Sequence, residues 1–392
     1  MALESSLDRD AILRAAGADD RAGSASWAQA LGRVVDSARE EGGLSTAGAE
    51  AMEVKLVQLA SERVCAEAIF RVAPEVAARD LPVRFAVAGM GRSGTTVLQR
   101  LLSCDPEVAF LPTWQAMRPV PPSRNGVIQP DVDHRRAEVT EQIAAIAKAN
   151  PESMRIHPLD AEAPEEEVFL LQHSFASMLF ALNCPLPSYN DWLAATDHED
   201  AYRFAFDLLR LGEWADGAPE GRPRIMKSPQ FLLDLRVVTR ATGGAIIAQT
   251  HRDPVDLVGS YCSTYANSRR RSMAAVDPVA LGHERLEFLG LMADRAVAVR
   301  ADADSERFVD VHYATLVKDP FHVVEQLYDA ARIDLTAQTR RRMQAWLDEH
   351  PQHQAGKHSY SLDDYGLDRA TVEARFAEYL ERFQVVRDDD AG

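Results

Sequence analysis

The most informative feature of the sequence is a glycine-rich turn between an apolar run and a helical pattern. Residues 85–102 read FAVAGMGRSGTTVLQRLL, which predicts a short buried strand, a loop and the first turns of a helix. In that order, free backbone N–H groups and the positive end of a helix dipole surround one point and form an anion site. Arg92 adds charge from within the loop, and Thr95 and Thr96 add hydroxyl and N–H donors.

The loop resembles the phosphate-binding loop of nucleoside triphosphatases but lacks its lysine. Gly89 and Gly94 have the spacing of that motif, whereas Thr95 stands where a lysine would reach the β- and γ-phosphates. A single 5′-phosphate that carries one further anionic group therefore fits better than a triphosphate. A nucleotide or small-molecule kinase stays an alternative, because it would share the order of strand, loop and helix, although no Mg²⁺-binding Asp is evident at a strand end.

A second segment with the residue types of a phosphate site is THRDPVDLVGS, residues 250–260. It follows a predicted strand and opens a helix at Pro254. Arg252 would leave the strand end, and Ser260 lies about two turns along the helix, so a guanidinium and a hydroxyl could meet at one phosphate. Ligands of open α/β sheets gather at the carboxyl ends of strands. We therefore expect this segment and the glycine-rich loop to face the same crevice.

The elements that position these segments form an α/β pattern. Three more short apolar segments, each followed by a helical pattern, predict strands: Arg224–Lys227, Ala245–Thr250 and Phe308–His312. Together with the strand at Phe85 they predict a central parallel sheet flanked by helices. Asp319 as cap and Pro320 at the first position predict a further helix start.

The expected organisation is one α/β domain with a helical N-terminal extension. Residues 1–78 are the extension, residues 79–385 the α/β domain, and residues 386–392 an acidic tail that we expect to be disordered. Helical spacing of apolar residues predicts three helices: Ala49–Ala73, His134–Ala149 and Glu165–Asn183. The proline-rich stretch between Pro112 and Pro130 predicts an ordered surface loop.

Charge and composition exclude several classes of protein. The 392 residues include 43 Lys and Arg against 60 Asp and Glu, a net charge of −17. A protein that wraps nucleic acid shows the opposite balance or a basic stripe, so we expect no nucleic-acid partner. No apolar run reaches the roughly 18–20 residues of a membrane span. The acidic N-terminus lacks the pattern of an export signal, which predicts a cytoplasmic protein.

The cysteines have no metal-binding spacing. We expect all four to be buried, reduced thiols: Cys65, Cys104, Cys184 and Cys262.

Together these segments resemble the sulfotransferases that use 3′-phosphoadenosine 5′-phosphosulfate (PAPS). In that family, which has a P-loop-like domain, the glycine-rich loop holds the 5′-phosphosulfate, and the Arg and Ser of the second segment hold the 3′-phosphate. The resemblance covers roughly residues 30–385, because further segments recur in order in a branch common among bacterial sulfotransferases: Lys227-Ser228-Pro229, Tyr313-x-x-Leu316-x-x-Asp319-Pro320, Gly356-Lys357-His358-x-Tyr360 and Tyr365-Gly366-Leu367.

The resemblance implies a set of donor-binding residues: Gly91, Arg92, Ser93, Gly94, Thr95, Thr96, Arg252 and Ser260. It also implies that a late loop with Lys357 and His358 folds over the nucleotide, with a solvated loop as the alternative. The run Arg269-Arg270-Arg271 is either a rim of the donor pocket or an exposed face. Aromatic residues such as Tyr261 are interpreted as core.

Sulfuryl transfer needs an in-line nucleophile, stabilisation of charge and a base for the acceptor proton. The expected cations are Arg92 and Lys227, although Lys227 could instead be a surface residue. Cytosolic sulfotransferases place a His two residues after the matching lysine, where this chain has Pro229. Other branches use a Glu, and the resemblance favours Glu166 for this catalytic role. Its rivals are Glu165, Glu167, His157 and His173.

The resulting hypothesis is a sulfotransferase that moves a sulfuryl group from PAPS to a hydroxyl or amine of a small-molecule or lipid-like acceptor. A non-catalytic protein that binds PAPS or its product is the alternative, ahead of the kinase. Because the donor already contains the activated group, no metal is expected. The sequence leaves the acceptor and the oligomeric state open, with a homodimer as one possibility.

Overall fold

Short apolar strands form a parallel sheet in the computed structural model, which describes residues 7–19, 23–149, 151, 159–302, 305–351 and 361–385. The strands are β1 (Val83–Gly89), β2 (Ser123–Arg124), β3 (Val127–Ile128), β4 (Arg224–Ser228), β5 (Ile246–His251) and β6 (Phe308–His312). The main sheet has the order β4-β1-β5-β6, and all its neighbouring strands are parallel. This confirms the predicted sheet and the α/β fold class.

Helices cover the sheet and precede it. In chain order they are α1 (Arg9–Ala15), α2 (Ser26–Glu40), α3 (Thr46–Val72), α4 (Thr95–Leu102), α5 (Thr113–Met117), α6 (Arg135–Ala149), α7 (Val168–Leu171), α8 (Pro187–Ala195), α9 (Glu199–Ala215), α10 (Leu235–Ala241), α11 (Pro254–Ser272), α12 (Pro278–Asp302), α13 (Tyr313–Lys318), α14 (Pro320–Ala330), α15 (Ala337–Glu349), α16 (Arg369–Arg375) and α17 (Ala377–Phe383). Within the described ranges, every helix is too short or too polar to cross a bilayer.

The predicted helix starts at prolines are confirmed. Helix α11 begins at Pro254, where the Asp253 carboxylate accepts the Val255 N–H at 3.0 Å. Helix α14 begins at Pro320, where the Asp319 carboxylate accepts the His322 N–H at 3.0 Å. In both cases proline supplies a fixed φ, and the aspartate satisfies an N–H that has no carbonyl partner inside the helix.

The strand register brings the chemical segments to one edge of the sheet. Gly89 of β1 lies opposite Thr250 of β5, and Ala88 lies opposite Ser228 of β4. The glycine-rich loop, the segment after Lys227 and Arg252 therefore all leave the sheet at its carboxyl ends, as expected for a ligand site of an open α/β sheet.

The N-terminal helices share a core with the segment that follows α7. Trp27 of α2 stacks on Phe175 with ring centroids 5.9 Å apart, and Arg63 of α3 donates to the Ser174 hydroxyl at 3.0 Å. Leu31 and Leu56 are fully buried in the same cluster. Burial of this apolar surface fixes α3 against the α/β core. The division into domains at residue 78 stays a prediction.

The predicted helix over Glu165–Asn183 is wrong. The chain forms α7, a 3-10 turn over Gln172–Ser174 and a second 3-10 helix over Met178–Leu182, with Phe175 in the left-handed region at φ 53°. The amide side chain of Gln230 explains the break. It donates to the Ala176 carbonyl and accepts the Met178 N–H, both at 2.8 Å, in place of helical partners.

The stretch between Pro112 and Pro130 is more regular than the predicted loop. It contains α5 and the hairpin of β2 and β3, which turns at Asn125 and Gly126 with φ 52° and 80°. Asn-Gly is the preferred pair for such a two-residue turn. The prediction of four buried thiols is wrong for Cys65, which is exposed on α3, and for Cys104, which is half-buried.

Candidate active site

The glycine-rich loop leads directly into the N-terminus of a helix. It runs from β1 to α4, and the first N–H groups of α4 have no carbonyl partner within the helix. The loop is fixed from behind, since the Ser93 N–H donates to the Met90 carbonyl at 3.2 Å and the Gly91 N–H donates to Tyr261 Oη at 2.7 Å. Arg92 adopts a positive φ of 73°. An anion at this point would meet main-chain donors without a rearrangement of the loop.

Two glycines of the loop leave no room for a side chain. A Cβ on Gly91 would lie 2.8 Å from Tyr261 Oη. A Cβ on Gly94 would lie 2.8 Å from a Leu316 methyl group, and Gly94 also has a φ of +89°. The loop sequence therefore reflects close packing against α11 and α13 as well as access for a ligand.

Lys227 and Glu166 form an ion pair beside the N-terminal turn of α4. The Lys227 side chain is 1% exposed, and its ammonium contacts Glu166 Oε1 and lies 3.5 Å from Thr96 Oγ1. The alternative of a surface lysine is therefore wrong. The Glu166 side chain is 17% exposed and faces the cavity described below. One cation and one carboxylate thus lie beside the first turn of α4.

The neighbours of Glu166 hold the acidic segment in place. Glu167 Oε2 accepts the Lys227 N–H at 2.6 Å, and the Glu167 N–H donates to the Lys227 carbonyl at 3.2 Å. Glu165 Oε1 accepts the Glu166 N–H at 3.0 Å, and Gln99 of α4 donates to the Glu165 carbonyl at 2.8 Å. Glu165 and Glu167 are both buried. Of the three carboxylates, Glu166 alone lines the cavity.

Burial raises the pKa of the Glu167 carboxyl above its ordinary value. Desolvation raises the pKa of Glu167 to about 8, and the charges of Arg224 and Lys227 and the Lys227 N–H only partly offset it. Among the described residues, its Oε1 is buried without a hydrogen-bond partner. The raised pKa favours the neutral carboxyl of Glu167, which links β4 to α7 through its hydrogen bond with the Lys227 N–H.

Arg252 connects the second segment to the loop. Its guanidinium donates through Nη1 to the Arg92 carbonyl at 3.1 Å and pairs through Nη2 with Asp256 at 3.1 Å. It also lies over the Tyr313 ring, 4.2 Å from the centroid. The head of Arg252 thus points toward the glycine-rich loop, as expected from its place at the end of β5.

The glycine-rich loop, Glu166 and Arg252 line one cavity of about 400 Å³. Its polar side includes the loop, Glu166 and Arg252, and its apolar side comes from both halves of the chain: Val97, Phe169, Met178, Leu179, Leu182, Pro229, Tyr261 and Tyr265. Within the described part of the chain, no three His, Cys, Asp or Glu side chains are grouped as a metal site would require. The cavity can hold an anionic ligand beside an apolar one.

Some predicted site residues lie elsewhere or beyond the described residues. Ser260 lies on α11 two turns after Arg252, but it is nearly buried and does not line the cavity. His173 is buried against the N-terminal helices, with Nε2 2.8 Å from Glu62 Oε2. His157, Lys357 and His358 and the acidic tail fall outside the described residues.

Neither interpretation of the arginine run holds for its first member. Arg269 is 2% exposed and pairs through both guanidinium Nη atoms with Glu284 at 2.6 and 2.8 Å, so it lies neither on a pocket rim nor on a solvated face. Arg270 and Arg271 are exposed.

Tyr261 is buried in the core, as interpreted from the sequence, but it is also a site residue, which the interpretation did not predict. It lies on α11 next to Ser260, accepts the Gly91 N–H and lines the cavity. Burial raises the pKa of Tyr261, which keeps the phenol neutral. The sequence signal that could have identified Tyr261 is its place in the helix that begins at Pro254, because that helix follows Arg252 and must face the loop.

Comparisons with known proteins agree with this geometry. A family model described as the sulfotransferase family matches residues 84–337, more than half of the chain. The structure is similar to sulfotransferase STF9 from Mycobacterium avium, with a TM-score of 0.85 and 26% identity over 99% of this chain and 100% of that one. It is also similar to sulfotransferase STF1 from Mycobacterium tuberculosis H37Rv, with a TM-score of 0.80 and 26% identity over 96% and 98% of the two chains. No curated protein sequence matches the chain. The chain belongs to the sulfotransferase family.

Proposed function

We propose that the protein transfers a sulfuryl group from PAPS to a hydroxyl or amine of a small-molecule or lipid-like acceptor. The observation that carries this proposal is one cavity lined by the glycine-rich loop, Glu166 and Arg252, with the buried ammonium of Lys227 paired to Glu166 at its wall. PAPS has two anionic ends separated by an adenosine. A protein that binds it needs two anion sites on one groove.

The residues present fit the two ends of the donor. We assign the 5′-phosphosulfate to the loop from Gly91 to Thr96, where helix and loop N–H groups provide donors. We assign the 3′-phosphate to Arg252, whose planar guanidinium suits a phosphate. Ser260 keeps its proposed role beside the 3′-phosphate from its position on α11, about two turns after Arg252 along the chain. Lys357 and His358 keep their proposed place beside the nucleotide.

The proposed chemistry divides between Glu166 and the cations. Glu166 accepts the proton of the acceptor hydroxyl while the acceptor oxygen forms the new S–O bond. Lys227 and Arg92 stabilise the negative charge on the bridging oxygen as the S–O bond to the 5′-phosphate breaks. The released product is 3′,5′-adenosine bisphosphate. The Lys227–Glu166 ion pair keeps the base and one of the cations next to each other in this proposal.

Turnover of labelled PAPS with a mixture of hydroxylated small molecules tests this proposal. A sulfotransferase transfers the label to an acceptor and releases 3′,5′-adenosine bisphosphate in equal amount. A protein that binds the bisphosphate but transfers no label to any acceptor would be the non-catalytic homologue. A protein that does not bind the bisphosphate would refute the assignment of both anion sites.

A further inference from the structure

A second cavity lies next to the first, between α3 of the N-terminal region and α11. It has a volume of about 350 Å³, and Leu179 lines both cavities. Along α3 its lining residues follow the helical period and so come from one face: Ala47, Gly48, Ala51, Met52, Lys55 and Leu56. The opposite wall comes from α11 and from the 3-10 helix over Met178–Leu182.

The two cavities follow the same face of α11. Tyr261, Thr264 and Tyr265 line the first cavity, and Ser268, Arg271 and Ser272 line the second. From Tyr261 to Ser272 this face extends for roughly 16 Å at the rise of an α-helix. The segment that begins with α7 runs in the same direction. Phe169 lines the first cavity, and Gln172, one turn later, lines the second.

The second cavity is mostly apolar but carries positive charge. Its charged lining residues are Lys55 and Arg271, and no Asp or Glu is among the residues that line it. Within the described residues, Lys55 forms no ion pair or hydrogen bond. The carboxylate in its range, Glu62, is already engaged by His173 at 2.8 Å and by Arg118 at 3.2 Å. Burial lowers the pKa of Lys55, and the charge of Glu62 opposes this shift only in part.

Gln172 adds a neutral donor to the same cavity. Gln172 is 7% exposed as a residue and is one of the residues that line this cavity. An amide in the wall of a cavity can donate its N–H groups to a ligand. Lys55 and Gln172 thus provide a charged and a neutral donor within an apolar lining of Leu44, Met52, Leu56, Leu179 and Phe180. Such a set complements an anionic group at the end of an apolar chain.

We propose that the second cavity binds the anionic end of the acceptor, so that the substrate is an elongated, largely apolar hydroxy acid. Its hydroxyl lies at Glu166, its apolar body follows α11 past Leu179, and its acidic group meets Lys55 and Gln172. This inference rests on the proposed function, because it assigns the acceptor of the same site.

Binding of two matched probes tests the inference. The protein is saturated with 3′,5′-adenosine bisphosphate and titrated by calorimetry with 10-hydroxydecanoate or with uncharged 1,10-decanediol. We expect the wild type to bind the hydroxy acid at least about tenfold more tightly than the diol, as for a charge-assisted contact. Lys55→Met should abolish this preference and leave the affinity for the diol unchanged, whereas Lys55→Arg should retain it.

The control variant is Lys148→Met, which removes an exposed lysine of α6 outside both cavities and should retain the preference. Unchanged affinity of each variant for the bisphosphate shows that the fold is intact. The inference is overturned if the wild type binds neither probe, if it shows no preference, or if the preference survives Lys55→Met.

A failure of the proposed function would look different. In that case the wild type would not bind the bisphosphate, and the two probes would then be compared on the protein alone. In transfer assays with labelled PAPS, Lys55→Met should raise KM for the hydroxy acid by about tenfold and leave kcat unchanged, because Lys55 is remote from the reacting atoms. A fall in kcat without a change in KM would contradict a binding role.

Discussion

Lys227 and Glu166 form an ion pair at the carboxyl end of β4, with the ammonium also 3.5 Å from the Thr96 hydroxyl of the loop helix. The Lys227 side chain is 1% exposed, whereas Glu166 faces the cavity. The pair therefore places the ammonium next to the loop helix and the carboxylate in the wall of the cavity. Substitutions of these two residues should therefore have different effects on transfer.

Glu166→Gln should slow transfer in a way that depends on the acceptor. With an alkyl alcohol such as 1,10-decanediol, loss of the base should lower kcat by about a hundred- to ten-thousand-fold. With 4-nitrophenol, which ionises without help, the loss should be much smaller. Labelled PAPS and both acceptors give the comparison, with Glu162→Gln, an exposed carboxylate paired with Arg136, as the matched control. An equal loss with both acceptors would exclude Glu166 as the base.

Lys227→Met should slow transfer to both acceptors by a similar factor. The ammonium is assigned to the charge that develops on the leaving oxygen, and this charge is the same for an alcohol and a phenol. We expect a loss of about a hundredfold or more, as for removal of one electrostatic contact to a transition state. The same assay measures it. A loss confined to the alcohol would place Lys227 with the nucleophile instead.

Stability should fall as the pH rises because of Glu167. Its pKa is raised to about 8 in the folded protein, against an ordinary value of 4.5. The folded state therefore holds a proton that the unfolded state has released. The stabilisation is complete below about pH 4.5 and is lost as the pH rises through about 8, by roughly 3–5 kcal/mol for this buried group.

Urea unfolding between pH 5 and pH 8.5 measures this effect on the free energy of unfolding. Glu167→Gln, which is neutral throughout, should show a flatter dependence on pH than the wild type. Glu162→Gln, at an exposed site, should keep the dependence of the wild type. If the free energy of unfolding of Glu167→Gln depends on pH as strongly as that of the wild type, other groups cause the dependence.

Gly94→Ala should impair donor binding beyond its effect on stability. Both Gly94 and Gly217 have a positive φ, at +89° and +67°, but only at Gly94 would a Cβ meet another atom, 2.8 Å away on Leu316. Each alanine should cost about 1–2 kcal/mol of stability for the backbone conformation. Calorimetry with 3′,5′-adenosine bisphosphate should show a loss of about tenfold or more for Gly94→Ala. The Gly217→Ala control should bind as tightly as the wild type; equal binding by both variants would show that the loop tolerates the change.

The sheet and its ligand edge could be predicted from sequence because local signals specify them. Phe308–His312 has the predicted bounds, and α11 begins at the predicted proline. Short apolar runs ended by Ser-Pro or Asp-Pro fix both the strand and the helix that follows. The order of the strands then places Arg252 and the loop at one edge without further information.

The segment around Glu166 could not be predicted in the same way. The break at Phe175 depends on Gln230, which lies more than fifty residues away in the sequence. The choice of Glu166 over its neighbours depends on hydrogen bonds between Glu167 and the backbone of Lys227. Three adjacent carboxylates carry no local sign of which one faces a cavity. The role of Tyr261 likewise depends on the packing of α11 against the loop.

The claim that Arg252 holds the 3′-phosphate is tested most directly by calorimetry with two nucleotides, 3′,5′-adenosine bisphosphate and adenosine 5′-monophosphate. For the wild type, removal of the 3′-phosphate should weaken binding by about 2–4 kcal/mol. Arg252→Ala should weaken binding of the bisphosphate by a similar amount and leave the monophosphate nearly unchanged. If Arg252→Ala binds the bisphosphate as tightly as the wild type, or weakens both nucleotides equally, the assignment of two anion sites on one groove is contradicted.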